Sequence, residues 1–149
     1  MAAIELEISV FPPAPVITAT CELREGLSTA GAPEVPAGGV PTNGYLQTDQ
    51  DLIVRIEWSE LDAAARFLQG GTWVAEATLE QVGGGVSTRT QNQISNGGGP
   101  YVANLQFDHP LTAGLYRVFA SLQWNFDNGD PGPITGFTEL GTIKVYNEV

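Results

Sequence analysis

Between residues 116 and 126 apolar and polar side chains alternate almost without a break. Tyr116, Val118, Ala120, Leu122, Trp124 and Phe126 fall on one side, and Arg117, Ser121, Gln123 and Asn125 on the other. Phe119 is the exception, an aromatic on the polar side. A period of two over this length predicts a half-buried strand. The same period recurs in Leu52, Val54, Ile56 and Trp58, in Trp73, Ala75, Ala77 and Leu79, and in Tyr101, Ala103, Leu105 and Phe107. It also marks Ile17, Ala19, Cys21 and Leu23, and a last strand from 137 to 146 with Ile143 and Val145 inward. Ile4, Leu6, Ile8 and Val10 alternate with Glu5, Glu7 and Ser9. Residues 86 to 95 are β-prone but polar on both faces, which suits an edge strand. Turns fall at Gly83-Gly84-Gly85, Asn96 to Pro100, His109 to Gly114 and Asp127 to Pro133, where Gly, Pro, Asn and Asp supply the geometry. One helix is predicted: Ser59-Glu60-Leu61-Asp62 reads as a capping box ahead of residues 63–68, with a stop at Gly70-Gly71.

The expected fold is therefore all-β, a Greek-key sandwich of seven to nine strands with one short helix between strands. Within it, Tyr116 follows a glycine turn and a leucine at the start of a long strand. It resembles the tyrosine corner of immunoglobulin-like and fibronectin type III-like sandwiches. The resemblance covers about residues 45 to 147. It implies that the Tyr116 ring enters the core and that its hydroxyl bonds a nearby backbone group. The paired cysteines of antibody domains are missing.

One domain is expected, in three stretches: a strand or arm at 1–25, a Pro/Gly-rich loop at 26–44 and a sandwich body at 45–149. Prolines at 12, 13 and 15 interrupt the first stretch, since proline cannot donate to a ladder. Two readings stay open there. Ile4, Leu6, Ile8 and Val10 form an edge strand kinked by prolines, or a detachable arm that binds a partner by adding to its sheet. The polar strand at Thr88 to Gln93 is the edge that could receive it.

Charge narrows the partners. Six basic against seventeen acidic residues give a net charge of -11. Nucleic acid and anionic membrane surfaces both need a cationic footprint, so neither is expected. No stretch approaches the ~20 apolar residues of a membrane span. The single cysteine excludes an intramolecular disulfide. The first residues have neither a basic region nor a long apolar run, so no signal peptide is expected. That reading puts the chain in the cytoplasm at synthesis, with a virion or extracellular particle as a later destination.

Little in the sequence carries chemistry. His109 is the single histidine and Cys21 the single thiol, too few for a zinc set or for an activated nucleophile. No enzyme and no cofactor is expected. The one metal candidate is calcium at Asp127 and Asp130 on a glycine turn, against a plain polar hairpin loop. Trp58, Trp73 and Trp124 fall inward by alternation and read as core, which leaves Phe119 as the aromatic offered outward. The expected function is a non-catalytic interaction or structural protein. It assembles with itself or with partner proteins through sheet edges, arm or loop. Leaderless domains of this resemblance are similar to accessory domains of phage virions. The alternative is a carbohydrate- or cell-surface-binding module.

Overall fold

The computed structural model describes residues 2–8, 16–28, 40–42, 44–61 and 68–147. These form eleven strand segments in chain order: β1 Ala2–Ala3, β2 Leu6–Ile8, β3 Val16–Ser28, β4 Val40–Pro41, β5 Tyr45–Gln47, β6 Gln50–Leu61, β7 Thr72–Gln81, β8 Val86–Ile94, β9 Tyr101–Phe107, β10 Gly114–Asn125 and β11 Pro131–Tyr146. Seven of them, β3 and β6 to β11, are long. The class is all-β, with no helix among the described residues.

The strands form two sheets. Sheet A runs β1-β3-β6-β9, with β4 also on β3, and sheet B runs β2-β11-β10-β7-β8, with β5 also on β11. All pairs are antiparallel except β5 on β11. The inward positions are those set by the period of two. Leu52, Val54, Ile56 and Trp58 from sheet A face Trp73, Ala75, Ala77, Val118, Ala120 and Leu122 from sheet B in one core cluster. The alanines make room for the large rings between them. Trp58 meets Trp73 edge-on across the two sheets, with ring centroids 6.2 Å apart, and Tyr101 at 5.5 Å. Fully burying side chains of this size drives the sheets together, at about 25 cal/mol per Å² of apolar surface.

Tyr116 is buried, and its hydroxyl donates to the Thr112 carbonyl at 2.5 Å. This ties the start of β10 to the turn before it. Burial pushes the Tyr116 phenol above its ordinary pKa. Where β10 meets β11, Leu140 is the extra residue between Val118↔Gly141 and Phe119↔Glu139, and Gly141 takes φ +108°. A bulge of this kind needs a residue that tolerates positive φ.

Two expectations differ from what is observed. Ser59, Glu60 and Leu61 do not cap a helix; they continue β6 and pair with Thr18, Ile17 and Val16 of β3. The reason is the phase of the strand. Glu60 follows Leu52, Val54, Ile56 and Trp58 on the inward face, where it is 3 % exposed and accepts from Trp73 Nε1 at 3.0 Å and from Ser95 Oγ at 2.7 Å. Of the helix expected at 63–68, residues 63–67 lie outside the described residues, and Leu68 is buried in the core at a bend. Phe126 leaves the inward series, because the β10–β11 register shifts after Trp124. It is exposed at the turn with its ring edge-on to Trp124 at 5.0 Å. Residues 16–25, the second part of the stretch expected as strand or arm, belong to a strand hydrogen-bonded on both sides, with β6 on one side and β1 and β4 on the other. Of the long loop at 26–44, residues 26–28 end β3 and 40–41 form β4, while 29–39 lie outside the described residues.

Candidate interaction surface

The two sheets present different outer faces. Sheet A shows polar and charged residues there, including the ion pairs Glu22–Arg24 and Arg55–Glu57. Sheet B carries apolar side chains that the core does not use. Nine large hydrophobic residues are exposed among the described residues. Leu61 alone belongs to sheet A, and the other eight lie on sheet B strands or their hairpin turns.

At the centre of the sheet B face, Phe119 of β10 stacks on Phe137 of β11. The ring centroids are 5.5 Å apart and the planes 20° from parallel. The register explains the pair: Phe119 lies opposite Glu139, and Ser121 opposite Phe137, so the two rings are diagonal neighbours within reach of each other. The Arg117 guanidinium sits 5.1 Å from the Phe119 ring centroid and donates to Glu139 at 3.1 Å. That carboxylate holds the Arg117 pKa above its already high ordinary value. Phe119 is thereby half-covered, whereas Phe137 remains 65 % exposed.

The N-terminal segment borders this patch. Leu6, Glu5, Thr135, Gly136 and Phe137 line one shallow groove. Gly136 allows the crossing, because a Cβ there would come within 2.6 Å of Leu6 Cδ2 and 2.8 Å of the Glu5 carbonyl. The segment bridges the two sheets of its own chain. Ala2 and Ala3 pair with Cys21 and Thr20, the Ile4 amide donates to the Ala19 carbonyl, and residues 6–8 pair with Gly136 to Ile134. Ile4 is in the core. Of the residues expected to bind a partner, Leu6 and Phe119 thus come together around Phe137, Ile8 pairs with Ile134, and Val10 lies outside the described residues.

The long edges also differ. At the edge of sheet A, β9 is sealed by β8 across the gap: Arg89 Nε donates to the Gln106 carbonyl at 3.1 Å and Gln91 Nε2 to the Val102 carbonyl at 3.3 Å. Arg89 also lies over the Phe107 ring at 5.0 Å. Side chains here satisfy backbone acceptors that would otherwise invite another strand. Beyond β8, among the described residues, no strand pairs. Its ladder with β7 is regular from Val86 to Ile94, without a bulge.

The reactive groups are kept apart. Cys21 is 1 % exposed, and burial pushes its thiol up to about 11. It lies opposite Ile56, four residues along β6 from Leu52, which pairs with Phe107 near His109. At about 3.3 Å per residue that separates Cys21 from the His109 end by more than 10 Å. His109 belongs to a different grouping, in which Asp51 accepts from the His109 amide at 2.7 Å, meets its Nδ1 at 2.5 Å and accepts from Gln106 at 2.9 Å. With the Leu111 amide bound to the Thr48 carbonyl, this clasps two turns at one end of the molecule. Asp127 and Asp130 sit at the opposite end of β11 from Asp49 and Asp51. Asp130 is engaged inside its own turn by Asn128, through the amide at 3.0 Å and the side chain at 3.0 Å. No group of three or more His, Cys, Asp or Glu that could hold a metal ion occurs among the described residues. Trp58, Trp73 and Trp124 are buried, so no indole is offered for stacking on a sugar.

Sequence reasoning gave Phe137 no role and read Glu60 as part of a helix cap. For Glu60 the signal was present, since it continues the inward alternation of β6. For Phe137 it was not: the ring becomes a partner of Phe119 only through the register of β10 and β11.

Compared with known proteins, the chain matches no family model, no curated protein and no solved structure.

Proposed function

We propose that this chain is an immunoglobulin-like sandwich serving as a non-catalytic structural or interaction protein, which assembles with copies of itself or with partner proteins through sheet B. Two features support the fold reading. In sequence order, the first, second and fifth long strands share sheet A. The fourth, third, sixth and seventh run side by side in sheet B. Immunoglobulin-like sandwiches group their strands in this way, here with the fourth strand beside the third. The Tyr116 hydroxyl bond at the start of the sixth long strand is the second feature. A particle or virion component is the role this reading favours.

The observation that carries the functional reading is the segregation of exposed apolar surface onto one sheet. Scattered exposed hydrophobics are ordinary, but at the centre of this face Phe119 and Phe137 stack on each other with Phe137 left exposed, an apolar centre of the kind contact sites carry. The test is light scattering on the full chain at tens of micromolar, in low and high salt. A species heavier than the 15.8 kDa chain is expected, and it should grow with salt, which screens repulsion between acidic bodies. A chain that stays at monomer mass at every concentration and salt overturns self-assembly.

A further inference from the structure

We infer that the partner of β8 is the β8 strand of a second copy of this chain, antiparallel across a two-fold axis at Thr90. The inference rests on the self-assembly reading above and names the surface and the occupant.

Three observations lead to it. The first is backbone availability. β8 is a long strand without proline or bulge, and among the described residues no strand pairs with its outer edge; two of its carbonyls, Thr88 and Ile94, accept exposed side-chain bonds from Arg89 Nη1 and Gln93 Nε2, which a second strand would displace. Edges of this kind are templates for pairing unless they are blunted by charge, proline or a bulge. The opposite margin of the sandwich is crossed by residues 2–8, and β9 is sealed by Arg89 and Gln91.

The second is charge. Two bodies of net charge -11 repel each other over most of their surface. From Gln81 to Phe107, however, the chain has no acidic residue, and Arg89 is its one charge. This segment is where a second acidic copy can approach at least cost.

The third is self-complementarity. Val86, Thr88, Thr90, Asn92 and Ile94 lie on the outer face of sheet B, level with Glu80, Thr78, Glu76, Val74 and Thr72. Val86 and Ile94 are each 63 % exposed, one at either end of the strand. Antiparallel pairing about Thr90 sets each Val86 against the second copy's Ile94, each Thr88 against Asn92, and Thr90 against itself. On the inner face Arg89 meets Gln91, not another arginine. A two-fold interface demands that the same patch serve both copies, and this register meets that demand with β-branched pairs at both ends. The two B sheets would then be continuous.

The test uses the full chain and three variants, read by light scattering, circular dichroism and non-reducing gel. Thr90→Glu places like charges opposite each other on the axis at an exposed position. It should reduce the assembled species at least tenfold while leaving the circular dichroism spectrum unchanged, and its melting temperature should match that of wild type at a concentration where wild type is itself monomeric. Thr90→Cys should crosslink under mild oxidation, because directly opposed residues bring their Cα atoms within disulfide range. Thr88→Cys should not, since its two copies would lie roughly 14 Å apart. Native Cys21 is buried and leaves the introduced thiol as the reactive one. If wild type is a monomer, both this inference and the self-assembly reading fall. If wild type assembles but Thr90→Glu assembles equally well and Thr90→Cys does not crosslink, the β8 pairing is wrong and the broader reading stands. Should Thr90→Glu fail to fold, the contrast between the two cysteine variants decides.

Discussion

Sheet A and sheet B are built from the same alternating pattern, yet they finish differently at the surface. Sheet A closes itself: its outer face carries ion pairs, and its long edge strand β9 gives backbone acceptors to Arg89 and Gln91. Sheet B leaves Phe137 exposed on its face and an unpaired strand at its edge. The difference teaches that alternation fixes which side of a strand is buried and says nothing of what its other side meets. That depends on neighbours distant in sequence. The surface ion pairs of sheet A contribute little stability, at most about 1 kcal/mol each. They make its face unattractive to another apolar surface.

The sharpest test sets an inward aromatic of sheet B against an outward one. Trp73→Ala removes the ring that meets Trp58 across the core and should cost about 3–5 kcal/mol. Phe137→Ala should change stability by about 0.5 kcal/mol or less, since the ring is mostly exposed. Chemical denaturation measures both. Equal losses would mean that the Phe119–Phe137 stack is part of the fold and not surplus surface.

Next in size is Glu60. Replacing it by alanine strands the Trp73 indole N–H and the Ser95 hydroxyl at the end of β6, and should cost about 2–3 kcal/mol in the same measurement. A neutral result would show that water reaches the site and that the carboxylate is dispensable to the join between the sheets.

Cys21 tests how dry the interior side of sheet A is. Its folded pKa lies above the ordinary thiol value of 9.0, at about 11. A raised folded pKa means that the stabilising contribution is complete below pH 9 and is lost as pH rises through 11, by roughly 2 kcal/mol at pH 11. Tyr116 titrates with the same sign. Thermal melts from pH 8 to 11 should therefore fall, and Cys21→Ala should flatten the profile. A wild-type curve without slope over that range would place the thiol in contact with solvent.

The smallest effect expected is at the corner. Tyr116→Phe keeps the ring and removes one hydrogen bond to Thr112, worth about 1 kcal/mol. An unchanged melting temperature would remove the corner from the list of features that hold β10 to its turn.

Much of this was legible in the sequence, for identifiable reasons. The inward sets of β6, β7, β9 and β10 follow from period two alone, because a pleated strand has just two sides. The polarity of Val86 to Ile94 marked an edge. The capping box at Ser59 misled, because a local helix signal competed with a strand phase that carried Glu60 to a buried indole. The stretch at 1–25 was legible only as strand or arm. Prolines at 12, 13 and 15 mark a break in the chain but not which pieces rejoin, and Val16–Ser28 rejoins sheet A. Phe119 stood out as an aromatic on a polar face. Its partner Phe137 depends on a register that a bulge at Leu140 adjusts, and no sequence period encodes that.

The claim that assembly belongs to sheet B is tested most directly by hydrogen–deuterium exchange of the full chain at about 1 and about 100 micromolar. Pairing through the sheet B edge predicts that backbone amides of Val86–Ile94 become protected at the higher concentration, while those of β3, β6 and β9 exchange as before. Concentration-dependent protection on sheet A, with β8 unchanged, would contradict it.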